Sequence, residues 1–193
     1  MDAAHELIWS NSYGAVTIEA ICERAGVKKG SFYYFFDSKS DLALSSIHAW
    51  WDERKVLVEE WFRPEVPPLE RIGKYLNFGV EHQIEAHEEA GQVLGCPLFT
   101  LGSEICTQDE QIRLLVQEIM STVIRYFENA IRDAQATGEV EGKNAALTTR
   151  MLWSFYEGTL TRARIENNPD LIHNLTADVF ELIGARPTLA VVA

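Results

Sequence analysis

The sequence predicts an all-α protein: an N-terminal helix-turn-helix unit of three helices joined to a larger helical domain, about nine helices in total. Three observations carry this. Almost every segment repeats its apolar residues with a helical period, and none alternates in the manner of a strand. The breaks fall at turn-forming residues: Tyr13-Gly14, Gly26, Asp37-Ser38, Pro64–Pro68, Gly91–Pro97, Thr107–Asp109, Gly138–Gly142 and Asn167–Pro169. The stretch Thr17–Lys39 has the residues of two short helices around a tight turn.

The elements follow in order. Three short helices are expected at Ala3–Asn11, Ile18–Ala25 and Lys28–Tyr34, then a long one at Lys39–Phe62. Five more are expected at Leu69–His87, Pro97–Cys106, Glu110–Ala136, Asn144–Glu166 and Asp170–Ile183, with a small apolar tail after Gly184 read as frayed. The expected division is residues 1–45 as a DNA-binding domain and 46–193 as an effector-binding and dimerisation domain.

Within the helix-turn-helix, Thr17 suits an N-cap. Ile18, Ile21 and Ala25 share a face and should look inward, and Gly26 supplies a positive φ for the turn. Val27 should plug the space between the helices. Phe32, with Phe35 or Phe36, should anchor the second helix, leaving Lys28, Lys29, Gly30 and Ser31 at its exposed start. Tyr33 and Tyr34 carry hydroxyls able to reach phosphate oxygens.

Charge sharpens this. The 193-residue chain carries a net −12, yet Arg24–Lys39 holds four basic residues and one acidic. That local +3 leaves about −15 elsewhere, a distribution that orients a small basic patch toward DNA while the body is repelled. Ordinary solvated lysines at a helix end are the alternative reading. No apolar run approaches the roughly 20 residues of a membrane span. Met1–Tyr13 has no basic n-region and contains Asp2 and Glu6, so no signal peptide is expected and the location is read as cytoplasmic. Three cysteines without a C-x-x-C pair indicate neither a disulfide framework nor a metal site, and no cofactor is expected.

The run Ala25-Gly-Val-Lys-Lys-Gly-Ser-Phe-Tyr-Tyr-Phe-Phe-Asp-Ser-Lys-Ser-Asp-Leu42 resembles the signature of the tetracycline-repressor (TetR) family of transcriptional regulators. The resemblance covers about Thr17–Leu42. It implies that Thr17 touches phosphate, that Lys29, Gly30 and Ser31 face bases and nearby backbone, and that Tyr33, Tyr34 and Lys39 hold the phosphates. It further implies a homodimer on a palindromic double-stranded operator. Two features depart from the pattern: Met1-Asp2-Ala3 stands where a basic arm is usual, and Tyr34 and Phe35 stand where a polar residue or His is common.

In the larger domain, Cys96 precedes Pro97, a residue suited to the first position of a helix. The positive end of the dipole there favours a thiolate. The Gly95-Cys96 pair resembles a branch of the family that senses N-ethylmaleimide, which implies a response to electrophiles. Arg164 is the nearest match to a lysine found near the sensing cysteine in that branch. Phe99, Tyr126, Trp153 and Tyr156 complete the expected effector site. The other reading makes Cys96 a small buried residue beside a non-covalent ligand. Cys106, about 15 Å further along a helix, is too far for a disulfide, and Cys22 is expected in the core.

After Asn144, two apolar stripes run side by side, Leu147, Met151, Phe155 and Gly158 beside Leu152, Tyr156, Thr159 and Ala163. Leu171, Leu175, Val179 and Leu182 line the final helix. So much apolar surface exceeds one buried side and suggests a dimer interface built on Leu147, Met151, Phe155, Leu171, Leu175, Val179 and Leu182. An enzyme is not expected. His82 and His87 diverge by about 140° on their helix, unlike H-E-x-x-H, and there is no P-loop or nucleophile elbow. The competing classes are a helix-turn-helix adaptor that binds protein rather than DNA, and an all-helical enzyme.

Overall fold

The computed structural model describes residues 1–142 and 144–185. Among them are nine α-helices, one 3-10 turn and no strand: α1 Asp2–Ser10, α2 Ile18–Arg24, α3 Lys29–Phe35, α4 Lys39–Trp61, α5 Pro68–Ala90, α6 Pro97–Ile105, α7 Glu110–Thr137, α8 Ala145–Glu166, the 3-10 turn Pro169–Leu171, and α9 Leu175–Leu182. The expected final helix is thus shorter than its apolar pattern. Asn168 accepts from the Asp170 amide, and successive short turns, Ile172 to Pro169 and Leu175 to Ile172, hold the chain until α9 begins. The tail from Arg186 lies outside the described residues.

The chain forms two compact units. The first comprises Met1–Val56 and Pro97–Ile119, so α6 belongs with the helix-turn-helix. Its core is Ile8, Val16, Ile21, Cys22, Phe32, Leu42, Ile47 and Leu101. Thr17 caps α2 through its hydroxyl, which accepts from the Ala20 amide at 3.1 Å. Gly26 turns the chain at φ +66°, and the Val27 amide donates back to Cys22. Two expectations fail there. Ala25 is exposed and so is Val27, because the buried side of α2 is rotated onto Ile21 and Cys22; Val16, just before α2, is buried. At the end of α3, Phe36 turns in and Phe35 turns out.

The second unit comprises Leu57–Cys96 and the chain from Met120. Leu76, Phe127, Ile131, Leu152, Leu160 and Phe180 are sealed in its core. Arg71, itself buried, donates to the carbonyls of Val66 at 2.6 Å and Pro64 at 2.8 Å and to Asp133 at 2.6 Å, fastening the proline-rich turn to α7. The two stripes of α8 separate by burial: Leu152, Tyr156 and Ala163 face in, while Leu147, Met151 and Phe155 face out, joined by Ile165 at 79% exposure. Leu175 and Val179 are 0% exposed within the single chain. They belong to its core and leave the outer face that the apolar pattern assigned them. Leu171 is half-buried and Leu182 exposed. No helix among the described residues is long and apolar enough to cross a membrane.

Candidate functional site

The α3 helix is anchored through Phe32, whose ring packs edge-on against Tyr33 at 5.0 Å and beside Phe36 at 5.8 Å. One inward aromatic suffices to fix a helix of two turns and leaves the rest outward. Tyr33, Phe35 and Tyr34, the last at 82% exposure, stand in solvent with Lys28, Gly30 and Ser31. A Cβ added at Gly30 would meet nothing, so this end of the helix can be approached closely. The basic patch is more compensated than its sequence suggests: Lys29 pairs with Glu19 and Arg24 with Glu6. The hydrogen bond to Glu19 raises the pKa of the exposed Lys29 ammonium and lowers that of Glu19.

Lys39 stands differently from its expected place on phosphate. Its Nζ donates to the carbonyls of Tyr13 at 2.8 Å and Val16 at 2.9 Å and lies 4.3 Å from the Tyr13 ring centroid. The same turn is gripped from its amide side by Glu104 of α6, which accepts from Tyr13 at 2.9 Å and Gly14 at 2.6 Å. Ser40 donates to Asp109, just beyond α6. The turn between α1 and α2 is therefore clamped by an ammonium on its carbonyls and a carboxylate on its amides. In the same unit His5 stacks on Trp50 at 5.4 Å; burial, then Arg54, pushes its pKa down to about 4.

In the second unit the loop before α6 is held by side chains. Gln83 accepts from the amides of Leu94 at 2.9 Å and Gly95 at 2.6 Å and donates to the Gly95 carbonyl at 3.2 Å. Asn167 accepts from Val93 and donates to Gly91, both at 2.9 Å, and Arg164 donates to Leu94. Gly95 takes φ +68°, a conformation that favours glycine, with Arg164 in ordinary contact beside it. This presents the half-buried Cys96 to Glu157, with which it hydrogen-bonds. A buried carboxyl is the opposite of the cationic neighbour that activates a thiol.

Glu157 was not among the residues singled out from sequence. It is 1% exposed, and burial pushes its pKa up to about 8, against the lowering effect of the Cys96 hydrogen bond. Its Oε2 is sealed without a hydrogen-bond partner, as are Trp153 Nε1 and Thr149 Oγ1. Residues 149, 153 and 157 recur every four positions and form one row on the inner side of α8. Each orphaned group costs about 1–3 kcal/mol, so three in a row call for an explanation. The available signal was a glutamate at an inward position, four residues after Trp153 and next to Tyr156.

Of the six residues expected around an effector, five lie in the second unit. Trp153 packs against Phe127 at 5.4 Å, Tyr75 at 6.0 Å and Tyr156 at 6.2 Å. Tyr156 is buried, which raises its hydroxyl pKa well above the ordinary value, with the Tyr75, Glu157 and Cys96 charges adding to the effect; its oxygen occupies the space a side chain at Gly79 would need. Tyr126 joins the aromatic row through Phe62 at 5.4 Å, and Arg164 braces the loop. Phe99 is on α6, in the first unit. Burial raises the thiol pKa of Cys106. No cluster of three metal-ligating side chains occurs among the described residues.

Two family models match the chain: bacterial regulatory proteins of the tetR family over residues 1–45, and the tetracyclin repressor-like C-terminal domain over residues 69–179. The chain belongs to the tetR family. It is a DNA-binding transcriptional regulator, and the family is one of regulators rather than enzymes. The transcriptional regulator AcuR of Cereibacter sphaeroides is 28% identical over 176 residues, 90% of this chain and 78% of that one. The crystal structure of regulatory protein TetR from Rhodobacter sphaeroides is similar at TM-score 0.79 and 27% identity, covering 93% of this chain and 94% of that one. The reduced form of NemR from Escherichia coli has the same fold at TM-score 0.77 and 18% identity, covering 97% and 96% of the two chains.

Proposed function

We propose that this regulator is a cytoplasmic homodimeric repressor that binds a palindromic operator through α3 and leaves it when an effector engages the second unit. The outward face of α3 supports the reading most directly, since Tyr33 and Tyr34 offer hydroxyls beside an open Gly30. Lys28, Lys29, Gly30 and Ser31 meet bases and adjacent backbone; Thr17, Tyr33 and Tyr34 meet phosphate; Lys39 holds the turn that carries Thr17 in place. Residues 1–45 act as the DNA-binding domain and 46–193 as the effector and dimerisation domain. The dimer forms on the outer stripe of α8, Leu147, Met151, Phe155 and Ile165, so that two copies present their α3 helices about one duplex turn, roughly 34 Å, apart.

The signal travels along α6. Cys96 is one peptide bond from Pro97, and Glu104 near the other end of that helix holds the Tyr13–Gly14 turn. A shift of α6 loosens that grip and re-aims α3. The effector binds the DNA-incompetent form better by the free energy it removes from DNA binding. In the electrophile version, Cys96 sulfur adds to an alkene carbon of a maleimide or quinone, the thiol proton ends on the neighbouring carbon, and the added bulk moves the loop before Pro97.

A gel shift with the DNA flanking the regulator's own gene tests both parts. Wild type is expected to bind; the thiol version requires that a short maleimide pulse label Cys96, against its hydrogen bond to Glu157, before Cys22 or Cys106 and release the DNA, with Cys96→Ser bound but unresponsive. Labelling that falls first on Cys106 or Cys22 removes the thiol step and leaves a non-covalent effector. Failure to bind any such DNA, with capture of a protein partner through α3 instead, favours the adaptor reading.

A further inference from the structure

We propose that the buried row Thr149, Trp153 and Glu157 on α8, closed at the Cys96 thiol, is the polar half of the effector site and takes a small uncharged molecule that accepts hydrogen bonds through a carbonyl-type oxygen. This rests on the effector-responsive reading above and adds the ligand's chemical class and the residue that selects it.

The unpartnered atoms define the class. Trp153 Nε1 can only donate, so whatever meets it is an acceptor. Thr149 Oγ1 can donate as well, and Glu157, kept protonated near neutrality by its burial, carries an O–H. A carbonyl oxygen has two lone pairs, so it accepts from Trp153 Nε1 and from one neighbour in the row, Glu157 or Thr149, each one turn away along α8. The Phe127 and Tyr75 rings that pack on Trp153 offer apolar surface for the rest of the molecule. An amine would require Glu157 ionised in a sealed site and would leave the indole N–H without an acceptor. A carboxylate would bring a second acid beside Glu157, at the desolvation cost of a buried charge. Cys96 donates its proton to Glu157 and is thereby kept from competing for the same acceptor. Glu157 thus sets specificity by its neutral state, and glutamine, which retains a donor, can replace it.

The test uses the full chain without DNA and four probes of one shape: cyclohexanone, cyclohexylamine, cyclohexanecarboxylate and methylcyclohexane. The indole N–H resonance of Trp153, assigned among the five tryptophans by a Trp153→Phe variant, reports the contact. Cyclohexanone is expected to shift it saturably in about the millimolar range appropriate to so small a ligand, and the other three to leave it in place. Glu157→Gln should keep affinity within about threefold, while Glu157→Leu should lose about tenfold or more; Thr149→Val, a near-isosteric change, should lose about threefold. Amine binding in preference to ketone, an equal response to the hydrocarbon, full ketone affinity in both Glu157→Leu and Thr149→Val, or no shift with any probe (water alone on the row) would each overturn the proposal. The regulatory reading fails separately: ketone binding without any change in operator affinity keeps the site and removes its role, whereas DNA release by an effector that does not move the Trp153 resonance keeps regulation and removes the site.

Discussion

The exposed face of α3 and the inner face of α8 use the same kinds of side chain to opposite ends. On α3, Tyr33, Tyr34 and Phe35 stand in water while Phe32 anchors the helix, so its aromatic and basic groups are available to a large polyanion at little desolvation cost. On α8, Trp153, Tyr156 and Glu157 are sealed, and the same polar tips become expensive unless something meets them. An exposed polar surface attracts a partner through charge and shape, whereas a buried one selects a partner by donor and acceptor count. The first is indifferent to small errors of placement; the second is not.

The sharpest way to break this contrast is to place a charge on each side of α8–α9. Val179→Glu puts a carboxylate at a position 0% exposed and should cost about 4 kcal/mol or more, enough to abolish cooperative unfolding. Met151→Glu, on the outer stripe, should leave the melt of the chain nearly unchanged and yield a species of 21.8 kDa in light scattering. A folded Val179→Glu would mean that α9 is not packed as described.

Acid–base linkage separates the buried groups from the exposed ones. Glu157 keeps its proton in the folded state up to about 8, above the ordinary 4.5, so its contribution is complete below 4.5 and is lost as pH rises through 8. His5, held down to about 4 from 6.5, works in reverse: its contribution is complete above 6.5 and is lost as pH falls through 4. Between 4.5 and 6.5 the two slopes oppose each other; from 6.5 to 8 Glu157 acts alone. Over that upper window stability should fall by about 1.4 kcal/mol per pH unit, and Glu157→Gln should flatten the curve, as read by denaturant unfolding at several pH values.

Lys39 tests where the DNA-facing surface ends and its scaffold begins. Lys39→Ala removes two bonds to carbonyls, which should destabilise the protein by about 2 kcal/mol and weaken operator binding without changing its salt slope. A reduced slope would return Lys39 to the phosphates. The smallest effect on the fold is expected for Tyr33→Ala, within about 0.5 kcal/mol by thermal melt, with operator affinity falling about fivefold.

Much of this was legible in the chain. Thr17 capping α2, Gly26 at a positive φ, Cys22 in the core and the order of helices follow from local rules, because capping, turn conformation and helical period depend on neighbours a few residues away. The same rules misjudged Val27, Leu175 and Val179. A periodic apolar stripe records that a face is covered but not by what, and α9 is covered by its own chain. The two stripes of α8 were equivalent in sequence and became inner and outer only on packing.

What the sequence determined by itself was therefore the all-helical class, the helix-turn-helix and the family, each written in contiguous residues at fixed spacing. What only the tertiary structure decided were the contacts made at long range. Glu104 reaches the Tyr13–Gly14 turn from ninety residues on, Lys39 turns back to the carbonyls of that turn, and Glu157 meets Cys96 across sixty-one positions of chain. A glutamate reads as a solvated charge in any sequence pattern; only the removal of water around it, by helices that converge from distant segments, makes it a neutral donor.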